Sequence, residues 1–217
     1  MKRRSQSGFS AVELLVVVSL ALLIAGMAIP SLVRAVHGAR LRGAGNDLSG
    51  LLQVCRIRAV QDDRFYSIYL LNTNGLQQEF VDIFPQNLNG SSGNQGTVLN
   101  PKDPSIALAS EITRQPQASA PSTANLVSQL LPTNPNNLQP ADASAAATPF
   151  TFGPEGLPCK PSLVTGGTVC NNTGGAIAYW TFLEDSSTLD WEAVTVTPAG
   201  RIQIWYYDKG SSTWLPI

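Results

Sequence analysis

Residues 9–29, FSAVELLVVVSLALLIAGMAI, form an almost unbroken apolar run with a single charge, Glu13. A helix of that length spans about 31 Å, the thickness of a bilayer's hydrocarbon core. The run is longer than the apolar centre of an ordinary secretory signal, and a helical pattern continues beyond it past Pro30. The segment therefore reads as a retained membrane anchor. A carboxylate in such a segment is costly, so Glu13 calls for a cationic partner or for escape to the interface. From Pro30 to Arg64, Leu41, Ala44, Leu48, Leu51, Leu52, Cys55 and Ala59 recur at spacings of three and four, which predicts a helix with one apolar stripe. Its first half reads as an exposed stalk, its second half as packed on a sheet. Gly38, Gly43, Gly45 and Gly50 weaken this helix, by up to about 1 kcal/mol each relative to alanine.

The period then changes. Phe65–Leu71 and Leu76–Phe84 are β-rich runs separated by Asn72-Thr73-Asn74-Gly75, a hairpin turn. Between residues 85 and 175 Pro, Ser, Ala, Asn and Gly dominate, and the stretch reads as a long decorated loop or partly disordered insertion, with a short helix near Leu126–Leu131. Strand patterning returns at Ala176–Leu183, Glu192–Thr197 and Arg201–Tyr207, with Thr197-Pro198-Ala199-Gly200 as a turn and Trp214 near the end.

Charge adds an asymmetry to this layout. The net charge is −1, yet Lys2, Arg3 and Arg4 precede the apolar run, and residues 65–217 carry five basic against eleven acidic side chains. An acidic outer region repels phosphate backbones. Basic residues flank both ends of the span, since Arg34, Arg40 and Arg42 follow it, so charge bias alone does not orient it.

Candidate chemistry is sparse. The one histidine, His37, lies on the stalk and reads as a surface residue, so no Ser/His/Asp, Cys/His or metal-ligand constellation assembles. Neither an enzyme nor a cofactor or metal site is expected. Glu184 and Asp185 read as solvated turn residues. Cys159 and Cys170, in a loop-like stretch, suit a disulfide formed in an oxidising compartment, and Cys55 reads as a small buried hydrophobe.

Lys2-Arg3-Arg4 followed by Ser7-Gly8-Phe9-Ser10-Ala11-Val12-Glu13-Leu14-Leu15 resembles the signal of type IV prepilins and type II secretion pseudopilins. The resemblance implies cleavage by a prepilin peptidase between Gly8 and Phe9 and N-methylation of Phe9. It also implies pairing of Glu13 with a neighbouring subunit's amino terminus during assembly, and a helix kink at Pro30. Ser10-Ala11 stands where many members have Thr-Leu. Asp47-Leu48-Ser49-Gly50-Leu51-Leu52 leading to Arg56-Ile57-Arg58-Ala59-Val60, and Val194-Thr195-Val196-Thr197-Pro198-Ala199-Gly200-Arg201, are similar to the FimT/GspH group of minor pilins and pseudopilins.

The expected architecture is α+β and pilin-like. A long N-terminal helix, transmembrane in its first half, packs on a C-terminal antiparallel β-sheet domain. The divisions are leader 1–8, transmembrane helix 9–29, helix continuation 30–64, and a β-rich domain 65–217 with its insertion at about 85–175. The resemblance implies a single-pass protein of the bacterial inner membrane whose domain lies in the periplasm or on a pilus. Its partners would be other pilins or pseudopilins and the prepilin peptidase, in a secretion pseudopilus or at a pilus tip. A second reading is a DNA-binding minor pilin for transformation, with Arg201 as a contact. Such members carry Gly-Arg-x-Arg, whereas this chain has Gly200-Arg201-Ile202-Gln203. Trp205, Tyr206, Tyr207 and Trp214 offer stacking faces for bases, although aromatics alternating on a terminal strand more commonly fill a core.

Overall fold

The stripe read along residues 41–59 becomes the buried face of one helix, α1 (Ala11–Gln61), in a computed structural model of the chain. The structure describes residues 10–73, 76–84, 103–130, 137–141, 149–172 and 175–217. Contacts divide the chain into two compact units, Met1–Ala39 and Arg40–Ile217. Burial along α1 begins at Leu41, so the boundary between bare and packed helix falls some ten residues later than the change at Pro30.

In the second unit a hairpin follows the helix. Strands β1 (Tyr66–Thr73) and β2 (Leu76–Ile83) pair antiparallel with Tyr66 opposite Ile83 and Thr73 opposite Leu76. β3 (Ser105–Ala107) adds to the outer edge of β2, and β6 (Phe150–Phe152) to that of β1, giving a four-stranded antiparallel sheet. The second sheet is built around β9 (Ala178–Asp185), β10 (Asp190–Val196), β11 (Ile202–Asp208) and β12 (Thr213–Pro216), an antiparallel meander. The free edge of β9 is shared: β4 (Ile112–Gln115) pairs with it antiparallel at Phe182–Asp185, and β5 (Leu138–Pro140) parallel at Ala178–Trp180.

The α1 stripe lies in one core with Tyr66, Ile68, Val81, Phe150 and Phe152 of the first sheet and Tyr179, Leu183, Val194 and Val196 of the second. Because side chains alternate along a strand, the opposite face of the second sheet presents Ala178, Trp180, Phe182, Ala193 and Trp205. These join Trp214 and the short helix α2 (Ala124–Leu130) in a second cluster. The α+β layout expected from the sequence is therefore present, with a long apolar N-terminal helix and antiparallel sheets after it.

Within residues 85–175, expected as a decorated loop or partly disordered insertion, the described parts carry regular structure. They supply β3 and β6 to one sheet, β4 and β5 to the other, and α2 to the second cluster, with Phe150, Phe152 and Leu126 buried. Strands of three or four residues are too short to display alternation, and their hydrogen-bond partners lie far along the chain. A separate ribbon, β7 (Pro161–Val164) with β8 (Gly167–Cys170), follows β6. Its base is tied by the Cys159–Cys170 disulfide, while Leu163, Val164 and Val169 are exposed. Asp185 also departs from expectation. It is buried at the end of β9, accepting the backbone N–H of Ser187 at 2.8 Å and of Thr188 at 3.3 Å, so it shapes the β9–β10 turn.

Candidate functional site: the bare segment of the N-terminal helix

Among its described residues the first unit presents one feature, the apolar part of α1. Val12, Leu14, Leu15, Leu22, Leu23, Ile24, Met27 and Ile29 are all exposed, and no residue of the most apolar 18-residue window is buried. A helix apolar on every side is characteristic of deep burial or of a membrane span. The segment's polar groups are also arranged for an apolar medium. Ser19 Oγ donates to the carbonyls of Leu15 at 2.9 Å and Val16 at 3.0 Å, and Ser31 Oγ to that of Ala28 at 2.8 Å. These hydroxyls are satisfied within the helix, as lipid requires. The helix is long and apolar enough to cross a membrane once.

The start of the helix is capped by its own sequence. Ser10 Oγ accepts the N–H of Val12 at 3.3 Å, and the Ser10 carbonyl accepts that of Leu14 at 3.1 Å. Glu13 lies in this first turn, where the exposed N–H groups and the helix dipole favour a negative charge. It is the only charged residue between Ser10 and Val33. Pro30 lies inside α1, which continues to Gln61. Having no N–H, Pro30 leaves the carbonyl four residues earlier, that of Gly26, without its helical bond. Gly8 and Phe9 lie outside the described residues.

In the second unit the remaining candidates separate from one another. Cys159 and Cys170 are joined, and Cys55 is buried as a free thiol whose pKa burial pushes up. Arg201 is exposed beside the β10–β11 turn, its N–H donating to Thr197 Oγ1 at 3.2 Å. Its neighbour Gly200 has φ +76°, and Arg56 Nη1 donates to the Gly200 carbonyl at 2.9 Å. The guanidinium lies so close that an added Cβ at Gly200 would come within 3.1 Å of Arg56 Cζ. Of the aromatic residues there, Trp205 and Trp214 are buried. Trp205 Nε1 donates to Thr195 Oγ1 at 2.9 Å and Trp214 Nε1 to the Ser122 carbonyl at 3.0 Å. Only Tyr206 offers substantial exposed ring area.

The chain matches no protein-family model, no curated protein and no solved structure. The assignment of a role therefore rests on the residues themselves. Among the described residues no group of three or more His, Cys, Asp or Glu side chains is placed to hold a metal ion.

Two buried acidic residues escaped the sequence reading. Glu79 of β2 pairs with Arg114 of β4, and Glu192 of β10 faces Gly45 of α1. Gly45 carries the signal that points to the second. It occupies a stripe position four residues after Leu41, where a bare backbone marks close approach by another group. The first had no comparable signal, because Arg114 stands in a segment without visible period.

Proposed function

We propose that the chain is a non-catalytic structural subunit, a minor pilin or pseudopilin of the FimT/GspH type, anchored by α1 in the bacterial inner membrane. The observation that carries this reading is Glu13, the one charge in the exposed apolar segment between Ser10 and Val33, placed in the first turn of α1 and five residues after Gly8. In a membrane the helix stores the subunit as a single-pass protein with its domain outside the cytoplasm. In a filament, contacts with other subunits' helices replace lipid, and the Glu13 carboxylate is neutralised by the amino terminus of a neighbour. That neutralisation offsets the cost of a charge held in an apolar setting, and it favours register over random association. The oxidised Cys159–Cys170 pair agrees with a domain beyond the cytoplasm.

The Glu13→Ala variant tests the reading. Membrane insertion is expected to be unchanged, whereas cross-linking to co-expressed pilin-type subunits is expected to fall at least tenfold, about 1.4 kcal/mol of lost pairing. Normal cross-linking of the inserted variant would overturn the role given to Glu13.

A further inference from the structure

Along β10 the side chains alternate. Trp191 and Ala193 enter the cluster with α2, while Val194 and Val196 enter the core with α1. Glu192 lies on the α1 side with the two valines. Its side chain is 2% exposed, and Oε2 is buried without a hydrogen-bond partner. That oxygen lies at clashing distance from where a Cβ on residue 45 would stand, so a side chain there would push the carboxyl away from the helix backbone. Ile204 of β11 closes the same spot, its Cγ2 3.5 Å from the Cβ position.

The groups facing this carboxyl are few. From α1, Arg42 stands one turn before Gly45 with its side chain exposed. From β11, Tyr206 is directly opposite Glu192, and from β9 the opposite residue is Leu183, which has no charge. The next α1-side residue on β10 is Asp190, which Lys209 engages at 2.7 Å. An ionised carboxylate therefore lies in an apolar seat with one cation near and no hydrogen bond on Oε2. A protonated carboxyl fits the same seat at far lower cost.

We propose that Glu192 and the bare helix backbone at Gly45 form a proton-operated clasp between α1 and β10, shut while the carboxyl is protonated and loosened when it ionises. Burial raises the Glu192 pKa to about 7, and Arg42 acts in the opposite direction. The folded state thus holds this proton more tightly than the unfolded chain. The clasp's stabilisation is full below the ordinary value of 4.5 and is lost as pH rises through about 7. Once ionised, the carboxylate swings toward Arg42 and water, past the part-exposed ring of Tyr206. The seam then opens at Leu41, Ala44 and Gly45, the first buried positions of the helix in this unit, while Leu51, Leu52, Cys55 and Ala59 stay packed. The proposal is independent of the pilin reading.

Hydrogen exchange of the full chain in detergent micelles tests it, read by mass spectrometry at pH 5.5 and pH 8.5. Comparing wild type with Glu192→Gln at each pH cancels the intrinsic rate. At pH 8.5 the amides of residues 41–48 are expected to exchange about tenfold faster in wild type, and at pH 5.5 the two proteins are expected to agree. Equal protection at both pH values would overturn the clasp. Should Glu192→Gln not fold, wild type alone decides through the ratio of exchange at 41–48 to that at 51–59 across the same range. That ratio is expected to rise with a midpoint near 7. A flat ratio, or loss of protection shared equally by both segments, would overturn the proposal.

Discussion

Arg114 Nη1 lies 2.8 Å from Glu79 Oε2 with both side chains wholly buried, and this pair joins the edge strand of one sheet to the middle of the other. Arg114 spends its other donors locally: Nε on Thr181 Oγ1 at 2.8 Å and Nη2 on the Ala141 carbonyl. Its guanidinium also stands 5.6 Å from the centre of the Phe150 ring. Glu79 Oε1 has no partner, and burial raises the carboxyl's pKa against the pull of Arg114.

Removing one member of such a pair strands the other charge in the interior. Arg114→Met is expected to destabilise the domain by about 3–5 kcal/mol, and the double change Glu79→Met with Arg114→Met by much less. Unfolding followed through the near-ultraviolet signal of the buried tryptophans measures both. A double variant as unstable as the single one would mean that the pair contributes through shape rather than charge.

The disulfide closes the β7–β8 ribbon at its base. Replacing both Cys159 and Cys170 by Ser is expected to cost about 3 kcal/mol, the loop-closure entropy of a loop this short. Cys55 is expected to resist alkylation until the protein unfolds, because burial raises its thiol pKa and shields it. Peptide mapping without reduction checks both, and rapid labelling of Cys55 in the folded protein would contradict its burial.

The proposed function carries with it processing at the Gly8–Phe9 step. A peptidase that needs a residue without a side chain before the cut will not accept Gly8→Val, so that variant is expected to keep its first eight residues. The wild-type chain is expected to start at N-methylated Phe9. Intact mass of membrane-extracted protein distinguishes the two. A mature start elsewhere would remove the basis for the pilin reading.

DNA capture is expected to be weak. In the described part of residues 65–217, Arg114 is buried in its ion pair and the exposed Lys209 engages Asp190, which leaves Lys160 and Arg201 as the exposed cations outside an ion pair. Arg56 is held to the Gly200 carbonyl. Duplex DNA is therefore expected to bind the purified protein no tighter than about 10⁻⁴ M at physiological salt. A fluorescence titration measures this, with Arg201→Ala as the control. Micromolar binding lost in that variant would make the chain a DNA receptor.

The elements legible in the sequence were those with long, regular periods. The α1 stripe matches the buried residues of α1 from Leu41 to Ala59, and the three long C-terminal runs are β9, β10 and β11. What was illegible depends on distant pairing. Ile112–Gln115 shows no strand signal alone and becomes β4 only because β9 offers it an edge. Glu192 and Asp185 look like ordinary surface acids until the strand faces are known. For Glu13 and the Gly8–Phe9 step the sequence pattern remains the stronger guide, since the roles proposed for them involve a membrane and neighbouring subunits.

The position of the α1 stripe in the core also sets an order of events in time. Its partners include Ile68, close behind it in the chain, and Val194 and Val196, near the opposite end. A ribosome making this chain releases the helix long before β10 exists. During that interval Leu48, Leu52 and Cys55 have no sheet from β9–β11 to cover them. Closure then waits on contacts of large sequence separation, the slow kind. The newly made chain thus passes through a period with its apolar stripe uncovered, and that period, more than the finished domain, is when it is most open to aggregation.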